Sequence, residues 1–590
     1  MLNIHEIGAA AMIHVRDHKT PYLIDPWDYL GPKRRKLLDG SWAGLFREHI
    51  LPELPVGKIA SCYTEGFGRP TKEIYAALGA LILQQMHDLT DEETVSQFSF
   101  NLQWHYALDI PGESDEAKYL CAKTLWTLRH RVAESGLDRE LFHATTEILA
   151  KVFGVETTKQ RIDSVHIRSN MRRLGRICIF SQGIHNFLVN LKRQHRVIFE
   201  TIEKERIDRY LTEKALGCFS LVKPSESAKT LEEVSRDLFS LVERFREDKR
   251  VRSLKTFGVL LRVLKDQCDL STAGEMTLKV PKEIASSSLQ NPSDPDAGYD
   301  AHKGQGYQVQ VMETYCASSD ASIKDKTLNL ITHVEIEPAY VSDARALIPA
   351  LESTSVRGLA PEAVLADSLY GSDENRESAK EMGVDVISPV MGTPREEAIG
   401  LADFPQTDKG KIASCPQGHA PVKVKMGKKN AMSVAFDSGF CNACPQREQC
   451  PVKPGKNRHY LRFTLKALRI AGRRAGEHTP EFKDKYRWRS GIESTFSEMD
   501  KTTGLKRLRV RGLSAVGYCA RLKAIGVNLF RAARVKRALD ALRTAPGEAL
   551  SGFASITLVI KERFLSPWRR LSDIFIAAAE SMTYTLRIAA

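Results

Sequence analysis

The stretch "EAVLADSLYGSDENRESAKEMGVDVISPV", residues 362–390, decides the fold class. Its first apolar run predicts a strand over 363–366, followed by a turn at Gly371. The polar stretch after the turn predicts a helix over 373–382, and the apolar run beyond the next glycine predicts a second strand over 384–390. A strand, a helix and a strand in this order form a β-α-β unit, so the chain is expected to contain an α/β domain.

Three acidic residues stand out by their predicted positions. Asp367 directly follows the first strand, and functional groups in α/β sheets gather at the carboxyl ends of strands. Asp163 lies in "QRIDSVHIRSNM", a short β-branched stretch that predicts another strand, and Glu493 lies in a predicted helix. A single strand-end aspartate is more often a cap or turn residue than a ligand. The ordered set of two aspartates and one helical glutamate indicates a shared site.

The helix that carries Glu493 has one patterned face. Thr479 is expected at the start of this helix and Gly504 at its end. At roughly 100° per residue, Tyr486, Arg489 and Glu493 project from one stripe. A surface ion pair explains the stripe, and so does a carboxylate placed beside a metal and a phosphate.

A set of three carboxylates suits phosphodiester chemistry. Such chemistry uses two divalent cations about 3.5–4 Å apart, one at the attacking oxygen and one at the leaving oxygen. Mg²⁺ prefers oxygen ligands and keeps several waters, so a few carboxylates are enough. The candidate ligands of Mg²⁺, or of Mn²⁺ in its place, are Asp163, Asp367 and Glu493. Glu498 is rotated by roughly 140° from Glu493 and is the poorer candidate.

The charge balance favours a polyanionic partner. The 590 residues include 86 Lys and Arg against 73 Asp and Glu, which gives a formal net charge of +13. Such an excess favours nucleic acid first and an anionic membrane surface second, with a merely basic enzyme as the alternative. A basic run after the helix predicts a phosphate track, with a solvated loop as the alternative; it comprises Lys506, Arg507, Arg509 and Arg511.

The apolar pattern predicts a soluble protein. No apolar run approaches the roughly 18–20 residues that span a bilayer. The first residues lack the basic start and the long apolar stretch of a signal peptide. We therefore expect a cytoplasmic protein without a membrane partner.

Three blocks of the sequence resemble the catalytic blocks of DDE-type insertion-sequence transposases: "RIDSVHIRSN", "VLADSLYGSDENR" and "YRWRSGIESTFSEMDKTTGLKRLRVRG". The segment "GRPTKEIYAALGALIL…TLWTLRHRV" resembles the helical domain that precedes the core in that family. The resemblance covers most of residues 60–535. It implies an RNase H-like core in which Asp163, Asp367 and Glu493 hold Mg²⁺.

The family's Tyr-x2-Arg-x3-Glu-x6-Lys signature matches Tyr486, Arg489 and Glu493 but departs at its last position. The signature's Lys would fall on Asp500, with Lys501 one residue further on. In the family that Lys is thought to contact DNA at the transposon end. Either Lys501 serves from a slightly rotated position or the contact is absent, and the departure does not affect metal binding.

Four of the 11 cysteines cluster. Cys441 and Cys444 form a C-x2-C pair, and Cys415, Cys450 and His419 lie near them in sequence. Four thiolates, or three with His419, can close a tetrahedral structural Zn²⁺ site. The surrounding stretch is poor in apolar residues, so a small insert there would need a bound metal to stabilise its fold. Unligated reduced thiols are the alternative, and a redox role is a more remote one.

These patterns and the resemblance predict an α/β protein with an RNase H-like mixed-sheet core. The expected parts are a helical N-terminal domain that binds DNA ends (1–150), a catalytic core (151–180, 291–404 and 456–535), a helical insertion (181–290), a cysteine-rich zinc insert (405–455) and a C-terminal tail (536–590).

The resemblance implies a DNA transposase that cleaves the ends of an insertion sequence and joins the freed 3′-hydroxyl to target DNA. Its expected partner is double-stranded DNA, namely terminal inverted repeats and target. It also implies a homodimer or larger synaptic assembly and a nucleoid-associated location. One alternative is an RNase H-fold nuclease without strand transfer, which uses the same acids. The other is a non-catalytic, zinc-containing DNA-binding protein, whose mark would be the loss of an acid.

Overall fold

The computed structural model describes residues 13–63, 70–212, 219, 221–271, 274–392, 399–407 and 411–544. Internal contacts divide the chain into one unit of residues 1–535 and a second unit of residues 536–590. The predicted C-terminal tail lies outside the described residues from 545 onward. No helix in the described ranges is long and apolar enough to cross a membrane.

The N-terminal region is helical, as predicted. Its helices are α1 (Pro32–Asp39), α2 (Trp42–Leu45), α3 (Val56–Ala60), α4 (Ile74–Met86), α5 (Asp91–Phe100), α6 (Leu102–Ala107), α7 (Asp115–Lys118), α8 (Ala122–Ser135) and α9 (Leu137–Phe153). Every residue of α4 is buried, so this helix forms the centre of the bundle. The Glu73 carboxylate caps α4 by accepting hydrogen bonds from the N–H groups of Tyr75 and Ala76.

The strands follow in chain order as β1 (Lys159–Arg168), β2 (Cys268–Leu270), β3 (Met276–Leu278), β4 (Gly298–Asp300), β5 (Gly304–Thr314), β6 (Ile331–Pro338), β7 (Ala363–Leu365), β8 (Asp385–Ile387), β9 (Lys423–Met426), β10 (Ala431–Asp437), β11 (Lys453–Pro454) and β12 (Arg458–Thr464). The main sheet is mixed. β5 pairs antiparallel with β4, β6 and β1, whereas β1 pairs in parallel with β7, and β7 in parallel with β8.

A helical insertion separates β1 from β4. It contains α10 (Arg176–Gln194), α11 (Arg196–Phe199), α12 (Lys204–Leu211), α13 (Ser227–Phe245), α14 (Lys249–Arg252) and α15 (Lys255–Gln267), with the β2–β3 hairpin after them. α10, α13 and α15 enclose a separate apolar core that includes Phe187, Leu238 and Leu260. The insertion therefore has the packing of a small folded domain of its own.

The predicted β-α-β unit is confirmed, with β7, a helix and β8 in the expected order. The helices of this part are α16 (Ala321–Lys326), α17 (Leu347–Val356) and α18 (Asp373–Glu381). Apolar side chains from β1, β5, β7 and β8 pack together with α17 and α18. This core fixes the spacing of the strands whose ends carry the predicted acids.

The cysteine-rich segment folds around a second sheet. Its four antiparallel strands lie in the order β11-β12-β10-β9, and α19 (Ser438–Asn442) follows β10. Phe404, Val434 and Leu461 form its apolar centre, with Cys415, Cys441 and Cys450 packed against them.

The last part of the described chain is helical but interrupted. It comprises α20 (Leu465–Gly476), α21 (Pro480–Tyr486), α22 (Gly491–Thr503) and α23 (Leu513–Thr544). Thr479 caps α21, and Gly504 ends α22 at φ 67°, as expected. The single helix expected between them is wrong, because a 3₁₀ turn over Arg487–Ser490 separates α21 from α22.

Candidate active site

Two adjacent parallel strands place the two aspartates, Asp163 within β1 and Asp367 just after the end of β7. In the pairing of β1 with β7, Arg161 lies opposite Leu365. Asp163 and Asp367 are each two residues further along. Because adjacent strands lie about 4.8 Å apart, this register brings the two predicted acids to neighbouring positions at one edge of the sheet.

The local backbone orients both carboxylates. The N–H of Ser164 donates to Asp163 Oδ1 at 2.9 Å. The N–H of Ser368 donates to Asp367 Oδ1 in the same way. The chain then turns, with the N–H of Tyr370 bonded to the Asp367 carbonyl at 3.1 Å. Each aspartate is thus held by the residue that follows it.

Arg489 joins Glu493 to this pair. Its Nη2 lies 2.6 Å from Asp163 Oδ2, and its Nη1 lies 3.4 Å from Glu493 Oε1. Arg489 and Asp163 are largely buried, whereas the Glu493 side chain is 69% exposed. The predicted stripe is therefore both an ion pair and a bridge to the sheet, because one guanidinium contacts two of the three predicted acids.

The electrostatics of Asp163 are those of a crowded acidic site. Burial raises the pKa of Asp163 to about 6, Arg489 opposes the rise, and the charges of Asp367 and Asp343 add to it. Burial also raises the pKa of Tyr486, whose surroundings include Arg489, Asp367 and Asp163. Desolvation and neighbouring carboxylates are the two effects that mark a functional acidic cluster.

A polar network behind the site was missed by the sequence analysis. The Tyr370 hydroxyl donates to Gln310 Oε1 at 2.6 Å, and Gln310 Nε2 donates to Asp343 Oδ1 at 2.9 Å. Lys303 Nζ lies 3.3 Å from Asp343 Oδ2. The alternation of glutamines with valines in "GYQVQVMET" was a signal, because it places Gln308 and Gln310 on one face of β5.

A buried charge network holds α22 against the sheet. Glu313 on β5 is fully buried and contacts Arg161 at 2.7 Å and Arg531 at 2.8 Å. The Thr495 hydroxyl of α22 lies 2.8 Å from both Glu313 oxygens. Arg161 Nη1 also donates to the Trp488 carbonyl at 2.7 Å. These contacts fix the start of the helix that carries the predicted third acid.

Glu498 belongs to that network and not to the acidic cluster. Its Oε2 lies 2.6 Å from Arg531 Nη2. The expectation that Glu498 is turned away from Glu493 agrees with this contact.

The predicted DNA-contacting cations occupy several positions. Lys501 is exposed in the last turn of α22, and Lys506 and Arg507 are exposed in the loop after it. Arg509 pairs with Asp88 at 3.3 Å, and Arg511 Nη1 lies 3.4 Å from Met171 Sδ. Asp500, at the position of the signature's Lys, accepts a hydrogen bond from the Lys506 N–H at 3.0 Å and so fixes the loop.

No group of three or more His, Cys, Asp or Glu side chains among the described residues is arranged to hold a metal ion. The chemistry of the acidic set nevertheless fits a hard divalent cation, because carboxylates are the ligands that Mg²⁺ prefers. Arg489 supplies a positive charge between Asp163 and Glu493, so the acids are already arranged around a cationic group.

The four clustered cysteines line one small cavity. Its lining includes Cys415, Cys441, Cys444, Cys450 and His419. Burial raises the pKa of the Cys441 thiol, and the other three thiols add to the rise. The His419 ring stacks on Phe440, with ring centroids 4.3 Å apart. The four thiols are therefore the better candidate ligand set, although they do not form an arrangement that could hold a metal.

Two comparisons with known families return matches. Residues 414–533 match the model described as Transposase DDE domain, which spans the cysteine-rich segment, Arg489 and Glu493. Residues 46–131 match the model described as Transposase domain (DUF772), which covers most of the N-terminal helices. No curated protein matches the chain.

Proposed function

Since this chain belongs to the DDE-type insertion-sequence transposases, we propose that it cleaves the ends of an insertion sequence and joins the freed 3′-hydroxyl to target DNA. The observation that carries the proposal is the placement of Asp163 and Asp367 by neighbouring strands, with Arg489 joining Asp163 to Glu493. Both steps are in-line phosphoryl transfers, which depend on positioning and on neutralisation of charge.

The order of the main sheet supports an RNase H-like core. Three antiparallel strands, β6, β5 and β1, are continued by the parallel pair β7 and β8. In this arrangement β1 is central, and β7, its neighbour on the parallel side, ends two residues before Asp367. We propose that the core comprises residues 151–175, 291–404 and 456–535; the sequence suggests 151–180 for the first part, but α10 of the insertion begins at Arg176.

We assign Asp163, Asp367 and Glu493 as the residues that hold Mg²⁺ or Mn²⁺. When bound, the cations would activate the attacking oxygen and neutralise charge on the leaving oxygen. Asp163 must be deprotonated to serve, and its pKa near 6 means that it gives up its proton below neutral pH. Arg489, released from the acids, is placed to bind the scissile phosphate in a bidentate manner.

The DNA-binding role rests on charge. We propose that Lys501, Lys506, Arg507 and Arg511 contact phosphates beside the acids, because they are exposed and have no ion pair among the described residues. Arg509 contributes less, since it already pairs with Asp88. Tyr486 orients the DNA strand at the acidic site, and the N-terminal helices bind the element's terminal repeat. A homodimer or larger assembly then brings two ends together at the nucleoid.

A structural Zn²⁺ in the cysteine-rich segment is a separate proposal. Its support is the convergence of Cys415, Cys441, Cys444 and Cys450 on one cavity, together with the affinity of thiolates for Zn²⁺. The four sulfurs would have to rearrange to bind the ion, because the described side chains do not form a metal-holding group. Such a site closes the segment and leaves no open position for catalysis.

The test uses labelled DNA that carries the element's terminal repeat, together with a supercoiled target plasmid and Mg²⁺. We expect the intact protein to produce both an end cut and a joined product. Asp367→Asn should lose both products and keep DNA binding. Glu481→Ala removes an exposed carboxylate from α21 and should behave like the intact protein.

Each alternative gives a different result in this assay. End cuts without joined product identify a nuclease that does not transfer strands. Binding without any cut, in Mg²⁺ and in Mn²⁺, identifies a non-catalytic DNA-binding protein. Equal products from Asp367→Asn and intact protein would refute the acidic centre.

A further inference from the structure

The helical insertion carries an arginine-lined cavity that the proposed catalytic centre does not use. The cavity has a volume of about 490 Å³ and opens to the surface between the start of α10 and the start of α13. Arg172, Arg173 and Arg176 line it, together with apolar groups such as Leu174 and Leu231. None of the described residues that line it is an Asp or a Glu.

The three arginines have no anionic partner among the described residues. Arg176 donates to the Gln267 side-chain oxygen at 2.9 Å and to the Gln267 carbonyl at 3.2 Å, both neutral groups. Arg173 lies over the Tyr299 ring, 4.0 Å from its centroid. Arg172 is exposed. Guanidinium groups without carboxylates nearby are suited to bind phosphate, which they can meet with two parallel hydrogen bonds.

The segment that lines the cavity contacts the basic loop after α22. Arg511 contacts Met171, two residues before Arg173. Asp294 joins the two segments, because it accepts hydrogen bonds from the Ser169 hydroxyl and from the Gly512 N–H. These contacts therefore hold the arginines at the start of the insertion beside the loop after α22.

The distance from the acids suits a DNA duplex. Arg168 ends β1, five residues beyond Asp163, and a strand rises about 3.3 Å per residue. Arg168 thus lies roughly 17 Å from Asp163 along the strand. Base pairs are stacked every ~3.4 Å, so this span corresponds to about five base pairs.

We propose that these arginines bind phosphates of double-stranded DNA on one side of the cleavage site, so that the helical insertion acts as a clamp on the duplex. The arginine surface is defined as Arg168, Arg172, Arg173, Arg176 and Arg511. The inference rests on the proposed function, because the acidic centre places the DNA. It adds that the insertion contributes affinity that is independent of base sequence.

The test is the salt dependence of DNA binding by the full-length chain. The double variant Arg172→Gln/Arg173→Gln removes two exposed charges just before α10. The control Lys192→Gln/Arg193→Gln removes two exposed charges from the far end of α10, roughly 25 Å from the start of that helix. Binding of a fluorescent terminal-repeat duplex and of an unrelated duplex is followed by anisotropy over a range of salt concentrations.

We expect the first double variant to bind both duplexes more weakly and to lower the slope of log K against log salt by about two, one for each lost phosphate contact. The control variant should keep the slope of the intact protein. A slope equal to that of the intact protein in the Arg172→Gln/Arg173→Gln variant would overturn the proposal. So would a failure of the intact protein to bind either duplex.

Further experiments distinguish DNA from other partners, and the clamp from the catalytic proposal. An RNA hairpin and vesicles with a quarter of anionic lipid replace the duplex in two control titrations. If the variant loses binding to either of these and not to the duplex, DNA is the wrong partner. If the Arg172→Gln/Arg173→Gln variant lowers the slope while no protein cuts the DNA, the clamp is supported and the catalytic proposal fails. If the intact protein cuts normally but the Arg172→Gln/Arg173→Gln variant keeps the slope of the intact protein, the clamp alone fails.

Discussion

Replacing Glu313 with Gln tests how the acidic site is built. The Glu313 carboxylate is fully buried and contacts Arg161, Arg531 and the Thr495 hydroxyl. Burial alone would raise the pKa of Glu313, but Arg531 and Arg161 hold it below its usual value, so the carboxylate is charged. The substitution leaves the buried Arg161 guanidinium without a carboxylate partner among the described residues and leaves Arg531 with Glu498 alone.

The expected cost follows from the partners that are lost. Removing one partner of a buried ion pair costs about 3–5 kcal/mol, because the remaining charge is left uncompensated. The loss acts on α22, since Thr495 and the Trp488 carbonyl are both held through this network. At about 1.4 kcal/mol for each factor of ten, the opening of α22 should become roughly a hundred-fold to several-thousand-fold more frequent.

Hydrogen–deuterium exchange measures this opening locally, which suits a chain too large for two-state unfolding. Peptides that cover 491–503 should exchange faster in Glu313→Gln, and end cutting should fall because Glu493 lies on the same helix. The matched control is Asp138→Asn, which breaks the buried pair of Asp138 with Arg521 between α9 and α23. Unchanged exchange over 491–503, or the same increase in the control, would refute the reasoning.

Three other predictions follow from single contacts. The pKa of Asp163 is raised from 3.8 to about 6 in the folded state, so the folded state favours the protonated carboxyl, and stability falls by about 3 kcal/mol as pH rises through 4 to 6. In metal-free thermal melts, Asp163→Asn should therefore raise the melting temperature at pH 8 and leave it nearly unchanged at pH 4. An equal gain at both pH values would contradict this. Gly491→Ala places a Cβ 2.1 Å from the buried guanidinium of Arg161, so it should lower stability by about 1–3 kcal/mol and abolish most of the end cutting. Its control Gly472→Ala has open space around the new Cβ and should be neutral or stabilising in the same melts. Mass spectrometry of metals should find about one zinc per purified chain, lost in Cys444→Ser and kept in Cys62→Ser; zinc kept in the first variant, or absent from the intact protein, would contradict the proposed site.

The sequence was sufficient for the features that depend on local pattern. The β-α-β unit follows from hydrophobic runs and glycines, and the position of Asp367 follows from the strand before it. The cap at Thr479 and the stop at Gly504 are equally local signals. Local patterns succeed at these positions because the backbone there satisfies its own hydrogen bonds.

The features that depend on distant partners were not predictable. The helix breaks before Gly491 where Arg161, more than 300 residues earlier, takes the Trp488 carbonyl. A Cβ at Gly491 would meet the same guanidinium, so the helix approaches β1 more closely than a side chain allows. The network of Asp343 and Gln310 likewise joins residues whose proximity only the sheet order reveals. The arginine surface became visible only when the insertion was placed beside the basic loop.

The most direct test of the account is the position of Mn²⁺ in crystals of the full-length protein with terminal-repeat DNA, located by anomalous scattering. The account predicts Mn²⁺ peaks within bonding distance of Asp163, Asp367 and Glu493, with Arg489 turned from the acids toward a phosphate. Peaks bound elsewhere in a complex whose DNA end lies at these acids, or Arg489 still bridging Asp163 and Glu493 beside a cleaved end, would contradict it.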